Sequence, residues 1–141
     1  MPDHLDPLRE KASLVYERLL TLFGQPEWRD PMPAVDELVC TILSQNTNDK
    51  NRDVAYQALI TRYPTWEAVR DADPQDLINL IRPAGLANQK GPRMQQVLHQ
   101  ITEERGEIDL DFVKEYTVED ALAWLTRFKG VGPKTASIVL Q

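Results

Sequence analysis

The sequence is poor in cysteine, in long apolar runs and in basic charge. Cys40 is the single cysteine, so no intrachain disulfide can form, and this fits a reducing compartment. No apolar stretch approaches the about 20 residues that a membrane-spanning helix needs. The residues from Met1 to His4 are polar and acidic and lack the basic and apolar regions of a signal peptide. We therefore expect a cytoplasmic protein without a membrane partner.

Histidine is also scarce, and the sequence predicts no metal site. His4 and His99 are the only histidines, and neither is spaced with cysteine, histidine or carboxylate as metal ligands are. Cys40 falls in an apolar segment, where a small buried hydrophobic residue is a simpler interpretation than a redox centre.

The net charge of −6 argues against a nucleic-acid partner, because phosphate is bound mainly by lysine and arginine. The charges are unevenly distributed, however. Residues 103–120 hold eight acids and two bases and so account for the whole net charge. Residues 79–102 and 127–141 contain bases and no acid; these are Arg82, Lys90, Arg93, Arg127, Lys129 and Lys134. Two interpretations stay open: an acidic solvated face with ordinary surface bases elsewhere, or a basic surface for nucleic acid.

The hydrophobic pattern predicts an all-α protein. With 42% hydrophobic residues, the 141-residue chain can bury one good core, and no segment alternates with the period of a strand. Start and stop signals predict helices at about residues 7–23, 34–45, 49–62, 65–70, 73–81, 87–104, 109–116, 117–127 and 133–141. Gly24 ends the first of these, and a proline-containing linker at 25–33 follows it.

Four helix starts carry capping side chains. Asn48 or Asp49, Thr65, Asp73 and Thr117 can each accept a hydrogen bond from the first turn of the helix that follows. The pair Gly91-Pro92 is expected to shorten or kink the helix at 87–104, because proline removes one backbone donor.

The segment from Phe128 to Ala136 is the most informative part of the chain. It reads F-K-G-V-G-P-K-T-A, a helix end, a tight turn with two glycines and a new helix beginning at Pro133. The free N–H groups of such a helix start bind anions, most commonly phosphate. Lys134 then places an amine beside the bound phosphate, where a nucleophile acting on nucleic acid would be needed.

This segment resembles the helix-hairpin-helix of the endonuclease III-like DNA glycosylases and AP lyases, whose signature is roughly L-x-G-V-G-x-K-T-A. Two upstream segments agree in order and spacing. Residues 42–49, I-L-S-Q-N-T-N-D, are similar to the family's L-L-S-x-Q-x-T-D, and residues 84–90, A-G-L-A-N-Q-K, to its G-L-Y/x-x-x-K. The resemblance runs from about residue 30 to the end of the chain.

The resemblance implies a fold and a domain organisation. The fold is a compact all-α helical bundle of the DNA-glycosylase type. Residues 33–141 would form the glycosylase domain and end in the helix-hairpin-helix at about 117–141. Residues 1–24 would supply a helix to a second lobe that is completed by residues beyond Gln141.

The resemblance also implies a reaction. Lys134 attacks the sugar C1′ of a flipped nucleotide, displaces the base, forms a Schiff base and cuts the strand by β-elimination. Relatives with serine at this position remove adenine and those with tyrosine remove mismatched thymine, so lysine implies a bifunctional enzyme for oxidised pyrimidines. The partner is double-stranded DNA with a damaged base or an abasic site, and the protein is expected to be monomeric and, in a bacterium, nucleoid-associated. The resemblance further implies DNA contacts by Lys90, Gly130, Val131, Gly132 and Thr135.

Gln45, Asn46 and Leu86 fall where the family inserts side chains beside a flipped base. Gln45 or Asn46 would fill the gap in the stack, and the alignment is ambiguous by one residue. Leu86 would be the apolar wedge on the opposite side. The alternatives are a helix C-terminal cap for the polar pair and a core-covering loop residue for Leu86.

Two family features have no counterpart in this sequence. Many relatives bind a 4Fe–4S cluster through four cysteines near the C-terminus, and this chain has one, so no cofactor is expected in it. The family also has an aspartate beyond the hairpin lysine, but Gln141 follows Lys134 by only seven residues. We expect from this that the sequence is a fragment of a longer protein, with incomplete catalytic machinery.

Two other functions remain open. A non-catalytic DNA-binding module would use the same hairpin, with Lys134 as a phosphate contact. A helical protein–protein adaptor would explain the acidic residues at 103–120 but not the G-V-G-P-K segment.

Overall fold

The computed structural model describes residues 6–27 and 30–141 of the chain. The predicted segment 1–24 and the linker 25–33 therefore lie partly outside the described residues. The chain divides into two compact units, residues 1–31 and residues 32–141. The described parts of both units are helical and contain no strand, which confirms the all-α prediction. None of the described helices combines the length and the apolar character that crossing a membrane would require.

The described part of the first unit is one helix, α1, at Asp6–Phe23. Its apolar side chains, among them Leu8, Leu19 and Leu22, are exposed. Gly24 adopts a φ of 76° and donates its N–H to the carbonyl of Leu20 at 2.8 Å, which ends the helix as predicted.

The second unit is a bundle of seven α-helices and two 3₁₀ turns in its described residues. The helices are α2 (Ala34–Ser44), α3 (Asp49–Arg62), α4 (Trp66–Asp71), α5 (Pro74–Leu80), α6 (Ala87–Arg105), α7 (Val118–Leu125) and α8 (Pro133–Val139). The 3₁₀ turns are at Arg82–Ala84 and Asp111–Glu115. The bounds of the seven α-helices and of the turn at Asp111–Glu115 agree with the predicted segments to within two residues, whereas the turn at Arg82–Ala84 was not predicted.

The core of this unit is built around α2. Leu38, Ile42 and Leu43 of that helix are fully buried, because it packs against α3, α6 and α8. Phe128, Val131 and Ala136 of the hairpin region belong to the same apolar cluster. The hairpin is thus anchored in the core of the domain.

The predicted caps account for four helix starts. The side chains of Asn48, Thr65 and Thr117 each accept the N–H three residues on, at 2.9–3.1 Å. Asp73 accepts from both Gln75 and Asp76. Each such cap stabilises its helix by about 1 kcal/mol.

The prediction for Gly91-Pro92 needs a correction. The helix is not shortened, since α6 continues through both residues to Arg105. Pro92 and Asn88, whose carbonyl loses its helical donor, are both exposed, so water can take the place of the missing N–H. Gly91 lets α6 lie close to α5, because a Cβ there would be only 3.0 Å from Cγ1 of Ile78.

Candidate nucleic-acid interface

The hairpin between α7 and α8 is a tight turn with its apolar residues inward. The N–H of Val131 donates to the carbonyl of Phe128 at 3.0 Å and closes the turn, and both side chains are buried. Gly130 has a φ of 85°, in the left-handed region that favours glycine. Lys129, Gly130 and Gly132 remain exposed. The turn therefore presents its glycine backbone to solvent.

Several N–H groups at this turn have no acceptor among the residues that the structure describes. They belong to Gly130, Gly132, Lys134 and Thr135. Gly132 precedes α8 and Pro133 occupies its first position, so these donors cluster at the helix start. A phosphate oxygen would satisfy them. The expected DNA contacts of Gly130, Gly132 and Thr135 stay predictions, and the buried Thr135 can contribute only its backbone.

The expectation for Val131 is corrected by the same geometry. Its side chain is 3% exposed and its N–H is already engaged with Phe128. Neither can reach a phosphate in this conformation, and Val131 instead anchors the turn in the core.

Arg93 lies against this turn, a contact that the sequence did not predict. An added Cβ on Gly130 would come 2.3 Å from Cδ of Arg93, so the arginine side chain covers the Gly130 α-carbon. Nη1 of Arg93 donates to Oε1 of Gln45 at 3.2 Å. No carboxylate pairs with Arg93 within residues 6–27 and 30–141, so its remaining donors can bind phosphate.

Gln45 and Asn46, which the sequence left as alternatives, have different surroundings. Nε2 of Gln45 donates to the carbonyl of Gly130 at 3.0 Å, and its Oε1 accepts from Arg93, so both ends of the amide are engaged. Asn46 is exposed, has a φ of 54° and makes no side-chain hydrogen bond to the described residues. Gln45 thus braces the hairpin and Asn46 is the less constrained of the two, while the insertion of either into a DNA stack stays a prediction.

Leu86 occupies the other expected wedge position. It is 46% exposed and adopts a φ of 50°, unusual for a residue with a Cβ. It immediately precedes α6, and its carbonyl accepts the N–H groups of Gln89 and Lys90 at 2.9 Å. Its exposure is compatible with the wedge role, which stays a prediction.

Lys90, an expected DNA contact, is enclosed by the protein in this conformation. Its side chain is 1% exposed, and Nζ donates to the carbonyls of Leu43 and Ala84 at 2.7 and 2.8 Å. Burial lowers the pKa of this ammonium group, since the charged form loses its hydration. This burial could not be predicted from the sequence, because both acceptors are backbone groups.

Lys134, the predicted nucleophile, is exposed in the first turn of α8. Within the described part of the chain, no carbonyl or carboxylate pairs with its ammonium. It lies two residues after Gly132, and its own backbone N–H is one of the donors without an acceptor among the described residues. The described residues also contain no group of three or more histidine, cysteine or acidic side chains that could hold a metal ion.

Comparisons with known proteins identify related sequences. An Arabidopsis thaliana protein assigned as a DNA glycosylase is 39% identical over 107 residues, which cover 76% of this chain and 36% of the relative. Endonuclease III of Thermotoga maritima is 36% identical over 103 residues, covering 73% of this chain and 44% of the relative. The chain thus spans less than half the length of these two relatives.

A solved structure has the same fold. The H. pylori 3-methyladenine DNA glycosylase MagIII, bound to 1,N6-ethenoadenine, superposes with a TM-score of 0.70 at 22% identity. The match covers 96% of this chain and 64% of that one. The family model for HhH-GPD superfamily base excision DNA repair proteins matches residues 39–139, which include the hairpin, Asn46 and Leu86. The resemblance noted in the sequence is confirmed: the chain belongs to the HhH-GPD superfamily of base excision DNA repair proteins.

Proposed function

We propose that this chain binds damaged double-stranded DNA and carries the nucleophile of a glycosylase with AP-lyase activity. The observation on which this rests is the exposed side chain of Lys134, two residues after Gly132, at the helix start whose N–H groups lack acceptors among the described residues. A phosphate held by that turn would place the adjacent nucleotide near the amine. Base excision repair is the function of the family to which the chain belongs.

The DNA-binding step would use three neighbouring segments. The hairpin N–H groups hold one phosphate, and Arg93 supplies a cation beside Gly130. Asn46 fills the space that the flipped nucleotide leaves, and Leu86 separates the neighbouring bases. Extruding a nucleotide costs a few kcal/mol, least for a damaged base or an abasic site, so damaged DNA is favoured.

The chemical step would proceed at the sugar C1′. Nζ of Lys134, as the free amine, attacks C1′ while the C1′–N bond to the base breaks, and the base leaves with the electron pair and takes up one proton of the amine. The C1′–O4′ bond of the sugar then breaks, O4′ takes up the second amine proton through solvent, and Nζ and C1′ form an imine. Water removes a proton from C2′ while the C3′–O bond breaks and the 3′ phosphate leaves with the electron pair, and hydrolysis of the imine restores the amine and leaves an unsaturated aldehyde on the DNA.

We further propose oxidised pyrimidines as the substrate class. The support is the residue at position 134, since lysine there resembles the bifunctional members of the family rather than those with serine or tyrosine. The acidic residues at 103–120 do not oppose DNA binding in this scheme, because the hairpin binds through backbone groups.

A non-catalytic DNA-binding module is the alternative, and one pair of assays separates it from the enzyme. The chain is incubated with duplexes that carry either thymine glycol or an abasic site, with an undamaged duplex of the same sequence as control. Release of thymine glycol supports the glycosylase, and strand cleavage only at the abasic site supports the lyase step alone. Salt-dependent DNA binding without either product would support the non-catalytic DNA-binding module.

A further inference from the structure

The two non-glycine residues with positive φ in the described chain are Asn46 and Leu86, at 54° and 50°. Both lie in loops expected to enter DNA. Leucine adopts such a φ at a free-energy cost, so Leu86 persists there only when the surrounding structure holds it, whereas asparagine tolerates this region and Asn46 follows the C-terminal cap of α2. The question is therefore which contact holds both loops in place.

Lys90 contacts both loops from beneath. Its Nζ donates to the carbonyl of Leu43, three residues before Asn46, and to that of Ala84, two residues before Leu86. Its own N–H donates to the carbonyl of Leu86 at 2.9 Å. A single residue of α6 thus fixes the backbone on the approach to both exposed side chains.

Burying the ammonium group of Lys90 costs free energy, and this cost indicates that its two hydrogen bonds are important for the local structure. An ammonium group that is 1% exposed loses its hydration, and no carboxylate is paired with it in the described residues. Within the described residues, only the hydrogen bonds to the two carbonyl groups compensate for this lost hydration. The carbonyl of Leu43 is one of the last in α2, where the helix dipole favours a cation. An apolar side chain would fill the same space but leave both carbonyls without a donor.

We propose that Lys90 is a positioning residue that sets the loops of Asn46 and Leu86 for insertion on either side of a flipped nucleotide. This inference rests on the proposed function, because it assigns the loops their role in DNA. Lys90 itself touches no DNA. It holds the backbone of both loops, including the strained Leu86, in place before DNA arrives, so that less ordering is needed on binding.

The test compares Lys90→Met with wild type in the full 141-residue chain. Methionine keeps the length and apolar stem but removes the donors. Ile101→Val, a change in the fully buried core of the same helix, is the control for general destabilisation. Two readouts are taken: hydrogen–deuterium exchange by peptide, and the ratio of affinities for a duplex with a tetrahydrofuran abasic analogue and for the intact duplex.

In Lys90→Met we expect faster exchange confined to about residues 43–48 and 84–88, and a fall in the affinity ratio of about three- to tenfold. Ile101→Val should leave the ratio unchanged. An unchanged ratio and unchanged exchange in both loops for folded Lys90→Met would overturn the proposal. If wild type itself does not prefer the abasic duplex, the proposed function fails, while the exchange data still decide whether Lys90 holds the loops.

A second variant keeps the test decisive if Lys90→Met folds poorly. Glycine adopts a positive φ without strain, so Leu86→Gly removes the backbone strain at this position, and the loop then depends less on Lys90. The loss of melting temperature caused by Lys90→Met should then be smaller in the Leu86→Gly background than in wild type. An equal loss in both backgrounds, or a double variant that remains unfolded, would contradict the proposal.

Discussion

The side chain of Arg93 lies across the α-carbon of Gly130, at a distance that leaves no room for a Cβ. This contact joins α6 to the hairpin, and Gln45 completes it by bonding to both residues. The surface expected to bind phosphate is therefore supported from α2 and α6, and its stability and its DNA affinity can be tested separately.

Gly130→Ala should destabilise the domain by about 1–2 kcal/mol, because alanine is strained at a φ of 85° and its methyl group must displace Arg93. Urea unfolding followed by circular dichroism measures the change. Gly132→Ala is the matched control: Gly132 has an ordinary φ of −91°, and an added Cβ there meets nothing within 4 Å. A loss in Gly132→Ala as large as that in Gly130→Ala would contradict this account of the turn.

Gly132→Ala should instead weaken DNA binding. The open space beside Gly132 is where a phosphate would approach the N–H groups of the turn, and a methyl group would obstruct it. We expect a loss of about tenfold in affinity for an abasic duplex, measured by fluorescence anisotropy at fixed salt. Undiminished affinity in the folded variant would show that the phosphate is bound elsewhere.

Gln45→Ala and Asn46→Gly should separate stability from damage recognition. Gln45→Ala removes hydrogen bonds to Gly130 and Arg93 and should cost about 1 kcal/mol of unfolding free energy. Asn46→Gly removes an exposed side chain, and glycine adopts the φ of 54° without strain, so the melting temperature should change little while the preference for abasic over intact duplex falls. The reverse pattern would assign the insertion to Gln45.

The start of α2 should make stability depend on alkaline pH. The hydroxyl of Tyr56 donates to Asp36 at 2.7 Å, and burial together with this carboxylate raises the pKa of Tyr56 above its ordinary value. In the unfolded chain, tyrosine loses its proton near pH 10. Between that pH and the higher folded pKa, the folded state binds more protons, so stability falls as the pH rises. The unfolding free energy of Tyr56→Phe should lack the part of this alkaline decrease that comes from Tyr56. Identical profiles of unfolding free energy against pH for the two proteins would contradict this contribution of Tyr56.

The helices could be predicted because their signals are local. Asn48 and Thr65 cap the helices that follow them through bonds to residues three positions on, and such spacing is visible in a sequence. The hairpin was visible for the same reason, since Gly130 and Pro133 have conformational preferences of their own. Family motifs then indicated which of these local features bear on function.

The supporting contacts of the site could not be predicted, because their partners are distant in the chain. Lys90 bonds to a carbonyl 47 residues away, and Arg93 to a side chain 48 residues away. A basic residue in a segment without acids looks like a surface residue, whether it is buried or not. Only the packing of α6 beneath the two loops distinguishes Lys90, which is enclosed, from Arg93, which lies against the hairpin.

Borohydride trapping on abasic-site DNA tests the central claim most directly, because the adduct requires only an amine that reaches C1′. Wild type and Lys134→Ala are compared after circular dichroism has shown both to be folded, with Lys129→Ala as a control for the loss of one hairpin cation. We predict a covalent protein–DNA adduct for wild type and Lys129→Ala, and none for Lys134→Ala. An adduct that persists in Lys134→Ala, or no adduct from folded wild type, would contradict the assignment of Lys134 as the nucleophile.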